Sequence, residues 1–227
     1  MKIPHRCEYW RRRLLCLALG LTSAVASAAP DNITRGEMAL LPEYCPYTQT
    51  FNTGDARTAA NAERWRAAFG STFSALHHYC WGLISIKRSK GPGMSGLSRQ
   101  GLLMSAINDF NYVVQFSTPS FVLLPEVYFR IGETQLELGA YGAALDAFTL
   151  SRQAKPAYWP PYLRWSETLV KLGKKPEALA HLEAGLRLMP TERALIAPYE
   201  RLGGNYAKWL QALPAPSPAS AASGTTP

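Results

Sequence analysis

The chain has 227 residues, 47% of them hydrophobic and 18% charged, with a formal net charge of +8. That length suits one domain with a sizeable core. The apolar content excludes a wholly disordered chain, and 17 glycines are too few for a collagen-like one.

Residues 1–13 carry Lys2, Arg6, Arg11, Arg12 and Arg13 against Glu8 alone. Residues 14–26 are largely apolar, and Ala24, Val25, Ala26, Ser27 and Ala28 supply a small-x-small site. This is the layout of a secretory signal peptide over 1–28, cut after Ala26 or Ala28. The apolar run falls short of the roughly 20 residues of a membrane span; an uncleaved anchor is the alternative. Cys16 lies inside the run rather than after a small residue at its end, so no lipid-attachment signal is read. Without residues 1–28 the net charge is +4, and within 125–192 eight basic residues face eight acidic ones. No basic stripe survives to favour a nucleic-acid partner. The mature chain is expected to be soluble, periplasmic or secreted, with no integral span.

An irregular leader, 29–61, follows. Cleavage leaves two cysteines, Cys45 in this leader and Cys80. In an exported protein an even pair suggests one disulfide; two buried free thiols are the alternative. The bridge would close a loop of about 35 residues and stabilise by roughly 3–4 kcal/mol through the unfolded state. A third reading is a metal site built from Cys45, Cys80 and His77, with Glu43 as a possible fourth ligand. At about 100° per residue, Cys80 points with Phe69, Phe73, Leu76 and Ile84 into the core. His77 lies about 60° from Cys80 and can join it, whereas His78, about 160° away, cannot. The set stops at three ligands without a clear fourth.

Residues 62–88 read as one long helix and 98–116 as another, the latter carrying Ala106, Phe110 and Val113. Between them Lys87 to Gly96 reads as a flexible, basic insertion. Its Gly91-Pro92-Gly93-Met94-Ser95-Gly96 matches GxGxxG in letters only, because no strand precedes it and no βαβ unit surrounds it. Together, 62–118 form a degenerate first repeat.

The repeat itself appears at an offset of 34 residues. Tyr128 aligns with Tyr162, Gly139 with Gly173, Ala144 with Ala178, Leu145 with Leu179, and Pro156 with Pro190. Ile131 and Trp165, Leu138 and Leu172, and Phe148 and Leu182 match in character. Each unit reads as helix, glycine turn, helix, proline stop. Apolar residues at three- and four-residue spacing give each helix one buried stripe. Glycine ends the first helix because it accepts a left-handed backbone, and proline ends the second because it lacks an N–H. Tyr158-Trp159-Pro160-Pro161-Tyr162, between the units, reads as packing across the junction, with a surface for an extended segment as the alternative.

These positions resemble the tetratricopeptide repeat. The first unit, 125–158, supplies Tyr128, Ile131-Gly132, Gly139-x-Tyr141, Ala144, Phe148 and Pro156. The second, 159–192, is looser, with Trp165-Ser166 for Leu-Gly and Lys175 for the tyrosine. Leu41-Pro42-Glu43-Tyr44-Cys45 and His77-His78-Tyr79-Cys80-Trp81-Gly82, followed by repeats, are similar to a group of exported proteobacterial tetratricopeptide proteins. The resemblance carries over no catalytic residue. It implies an all-α, right-handed superhelical stack of antiparallel helix pairs, about three repeats plus a C-terminal cap. It also implies a groove lined by Phe129, Arg130, Glu133, Leu136 and Glu137, then Leu163, Arg164, Glu167, Val170 and Lys171.

Arg130 and Arg164 hold equivalent places. In one tetratricopeptide subset groove cations grip a terminal carboxylate, a task suited to the arginine fork, but that subset has asparagine where Glu133 and Glu167 stand here. Pairing of each arginine with a glutamate on its own helix is the alternative. Downstream, 193–213 read as a short capping pair, kinked or broken near Pro198, and 214–227 as a disordered Pro/Ala/Ser/Thr tail.

After processing only His77, His78 and His181 remain. The chain has no Gly-x-Ser-x-Gly elbow, paired CxxC or HExxH. The expectation is a non-enzymatic periplasmic scaffold without cofactor, binding a peptide segment of an envelope protein or assembly machinery. A metal- or redox-responsive module using Cys45, His77 and Cys80 is the alternative, and a hydrolase ranks third.

Overall fold

The computed structural model describes residues 33–49, 51 and 56–213, all within one unit that begins at Ile33. The expected signal peptide and C-terminal tail lie outside the described residues. The regular secondary structure of those described is all helical, without a strand.

The leader starts with a short helix, α1 (Arg35–Met38), set by a capping box in which Thr34 and Glu37 satisfy each other's backbone N–H groups. A 3-10 turn, Cys45–Tyr47, follows, and then α2 (Ala56–Phe69). The single helix expected over 62–88 is interrupted. Gly70 takes φ +62°, a left-handed conformation that ends the α-helical ladder. A 3-10 segment, Gly70–Ala75, buries Phe73 before α3 (Leu76–Ser89) restarts the ladder. Phe69, on the preceding helix, still packs against the core cluster that holds Cys80, its ring meeting Tyr44, Trp65 and Phe121. Leu76, Cys80 and Ile84 do point inward.

Three packed helix pairs come next. α3 pairs with α4 (Gly96–Gln115), α5 (Leu124–Glu137) with α6 (Tyr141–Ala154), and α7 (Pro160–Lys171) with α8 (Lys175–Leu188). The two glycines singled out by the 34-residue offset make the turns. Gly139 and Gly173 have φ +75° and +74°, and the residue after each returns its N–H to the preceding helix: Ala140 to Gln135 (2.9 Å), Lys174 to Leu169 (2.8 Å). Lys87 and Arg88, at the overlap of the expected helix and the expected loop insertion, and Ser89, expected in the insertion, complete the last turn of α3. Apolar periodicity does not reveal this, because Arg88 is held by an ion pair with Glu37 and Ser89 by a hydrogen bond to the Ile86 carbonyl.

α9 (Arg193–Arg201) and α10 (Tyr206–Gln211) close the described residues. α9 runs through Pro198 rather than breaking there. The proline costs a single ladder bond, while buried Leu195 and Tyr199, the latter donating to Glu183 (3.0 Å), hold the helix down. The largest core cluster joins leader residues Tyr44, Cys45 and Phe51 to Leu76, Tyr79, Ile84, Phe110, Val113 and Val127. The leader is thus part of the core of the first pair.

Candidate functional site

The first helices of the three pairs, α3, α5 and α7, are joined by one polar ladder. The Tyr79 hydroxyl donates to Glu126 Oε1 (2.7 Å), crossing from α3 to α5. Arg130 reaches Glu126 (3.3 Å) and Glu133 (3.2 Å) on its own helix. Arg164 on α7 meets Glu167 (3.4 Å) and crosses to Glu133 on α5 (3.6 Å). Spacings of three and four residues place each same-helix pair on one face. Burial first, and the Glu126 carboxylate second, keep the Tyr79 phenol well above its ordinary range, so it stays protonated and donates to Glu126. The same two causes push Tyr158 up to about 12.

The expected groove residues divide into four groups. Arg130, Glu133, Arg164 and Glu167 come together in the ladder, with each arginine already neutralised. Phe129 is half-buried against Phe148 and Tyr158, and Leu136 and Leu163 pack against core clusters. Glu137 is drawn elsewhere: Arg99 of α4 pairs with its carboxylate and bonds its carbonyl, and Lys90 lies 3.5 Å away. Val170 and Lys171 remain exposed. In the aromatic junction Pro161 and Tyr162 are buried while Trp159 stays exposed, so packing dominates there.

The Cys45 and Cys80 sulfurs lie 2.03 Å apart, a disulfide. In this arrangement the sulfurs are not available to the metal set of Glu43, Cys45, His77 and Cys80. Both sulfurs are consumed by their mutual bond, and a metal needs them as thiolates. Glu43 is exposed and pairs with Arg64 (3.7 Å). His77 bonds the Ser74 carbonyl through Nδ1 (2.9 Å); burial and then the neighbouring His78 lower its pKa. His78, excluded from that set by its direction, packs between helices: it bonds Asp109 of α4 (2.7 Å) and lies at a tilt against the Tyr112 ring. Burial raises the Asp109 carboxyl, and His78 opposes that rise. His181 sits half-buried on α8 near Arg152 (3.5 Å), its pKa lowered by burial and then by that cation.

Two clefts flank the ladder. One, of about 420 Å³, lies between the leader and α3–α5, with Leu41, Pro42, Leu83 and Arg130 among its walls. The leader is held there by Arg88, whose guanidinium grips Glu37 at 2.5 and 3.0 Å. The other, of about 450 Å³, lies between α7 and α9. Sequence reasoning missed Tyr79, Glu126 and Asp109, each of which bonds a residue on another helix; only the four- and three-residue spacing of Glu126 and Glu133 from Arg130 hinted at a ladder. Among the described residues no helix is long and apolar enough to cross a membrane. Compared with known proteins, the chain matches no family model and no curated protein.

Proposed function

We propose that the chain is a non-enzymatic, exported scaffold of the tetratricopeptide kind. Residues 1–28 direct it to the periplasm, and the helix pairs stack as a right-handed superhelix. The units are 62–118, 125–158 and 159–192, with 193–213 as cap. The stack binds a peptide segment of an envelope protein or of an assembly machine along the face of α3, α5 and α7. The observation that supports this reading is the succession of three packed helix pairs whose first helices share one ladder of carboxylates and arginines. Repetition of this kind builds an extended binding surface rather than an enclosed reaction site. The buried disulfide fits an oxidising compartment.

The test places a photo-crosslinking residue at exposed Glu167 and, as control, at exposed Ala180 on α8. A discrete adduct with an envelope protein is expected from position 167 alone. Charge reversal at Arg130 and Arg164 should lower its yield without loss of helical signal. No adduct, or the same adducts from both positions, would remove the scaffold reading.

A further inference from the structure

We infer that the cleft between α7 and α9 is the anchoring point for the partner, and that it takes an acidic segment carrying an aliphatic or aromatic side chain. The inference rests on the scaffold reading and assigns the partner's chemistry.

Along α5 and α7 the arginines are already paired, so an incoming carboxylate would have to displace Glu126, Glu133 or Glu167. At the α7–α9 cleft the situation reverses. Lys171 and Arg201 both line it, and among the described residues no carboxylate pairs with either. The one carboxylate on its rim, Glu167, is met by Arg164. Each cation ends its helix, where the backbone carries about half a negative charge. Two full positive charges outweigh two such halves, and a net positive rim remains. Lys174 and Lys175 of the following turn add to the same sign.

The floor is apolar, formed by Val170, Pro198 and Leu202. The residue one repeat before Val170, Leu136, packs against a core cluster, whereas Val170 is 42% exposed. The difference follows from position: α5 is covered by a further full helix pair, and α7 by the short α9. Apolar floor and cationic rim together suit a peptide with an apolar side chain flanked by carboxylates.

The test is a random-peptide phage selection on the disulfide-bonded chain purified from a periplasm. Enriched peptides are then labelled and titrated by fluorescence anisotropy. Aspartate or glutamate beside leucine or phenylalanine is expected. Affinity should fall tenfold or more in Lys171→Glu/Arg201→Glu, about fivefold in Val170→Ser, and progressively with salt. Both cations are exposed, so circular dichroism of the double variant should match the parent.

Enriched peptides without acidic residues, affinities unchanged within twofold, or phosphatidylglycerol vesicles that bind equally well and displace the peptides would each overturn the proposal. The two readings fail separately. An envelope adduct at position 167 that survives charge reversal at Lys171 and Arg201 sinks the cleft and keeps the scaffold. Acidic peptides that bind through those cations while no adduct forms keep the cleft and sink the scaffold.

Discussion

The ring of Phe110 lies so close to the backbone of Gly82 that a Cβ at that position would stand 2.5 Å from it. The next helix pair repeats the relationship, with Gly132 the same 2.5 Å from Phe148. In the third pair, 34 residues on, Ser166 and Leu182 occupy the two places, and the buried Ser166 hydroxyl donates to the Ala178 carbonyl (3.1 Å). A ring needs a notch without a side chain; the smaller leucine leaves room for serine.

Alanine in a helix interior ordinarily gains about 1 kcal/mol over glycine. At Gly132 that gain is opposed by overlap with Phe148, an overpacking cost of about 1–3 kcal/mol. Gly132→Ala should therefore destabilise by up to about 2 kcal/mol in chemical denaturation. Pairing it with Phe148→Leu should recover much of the overlap cost. A Gly132→Ala variant more stable than the parent would show that the ring moves aside freely.

The disulfide closes a loop across 35 positions, and both cysteines are fully buried. Restriction of the unfolded chain by a loop of that length corresponds to roughly 3–4 kcal/mol. Cys45→Ala/Cys80→Ala should lose about that much, with the leader residues Tyr44 and Phe51 loosening first. Hydrogen exchange across 33–49 compared with 124–188 checks the second part. Equal protection in both segments, relative to the disulfide-bonded parent, would contradict it.

The helix pairs were legible because burial writes a three-to-four period into the sequence, and because Gly139 and Gly173 sit where a left-handed residue is needed. The break at Gly70 was not legible. Apolar residues at 69, 73, 76, 80 and 84 keep helical spacing straight through the 3-10 segment, so the pattern conceals the change of ladder. Gly82 was similarly hidden: within His-His-Tyr-Cys-Trp-Gly the histidines and cysteine drew attention, while Trp81-Gly82 is the counterpart of Ile131-Gly132 in the next unit. The ladder was half legible. Same-helix partners of Arg130 and Arg164 follow from spacing, but the Arg164–Glu133 crossing depends on how α7 packs against α5. Likewise no local spacing announces Arg88–Glu37, 51 residues apart.

Glu37 is held at about 2, well below its ordinary 4.5, chiefly by its hydrogen bond with Arg88 and then by the Thr34 backbone. A folded-state pKa below the unfolded one contributes stability that is present above about 4.5 and lost as pH falls through about 2. Glu37→Gln should start less stable at neutral pH, and its stability should fall less between pH 4.5 and 2. Thermal melts of both proteins across that window check this. Parallel curves would mean that Arg88 holds the leader no better through Glu37 than through a neutral amide.

Glu133 is shared by two arginines, Arg130 on its own helix and Arg164 on the next. The side chains of Arg164 and Glu133 retain 26% and 29% of their exposure, so water screens the pair. A double-mutant cycle over Glu133→Gln and Arg164→Gln should give a coupling of about 0.5 kcal/mol rather than the several expected of a dry pair. Raising salt from 0.05 to about 0.5 M shortens the screening length below 5 Å and should roughly halve the coupling. Replacing Glu133 alone should cost more than the coupling, because it leaves Arg130 with Glu126 as its sole ladder carboxylate and Arg164 with Glu167 as its own. Zero coupling at low salt would mean that the Arg164–Glu133 contact adds nothing to the packing between α5 and α7, and that the ladder stops at α5.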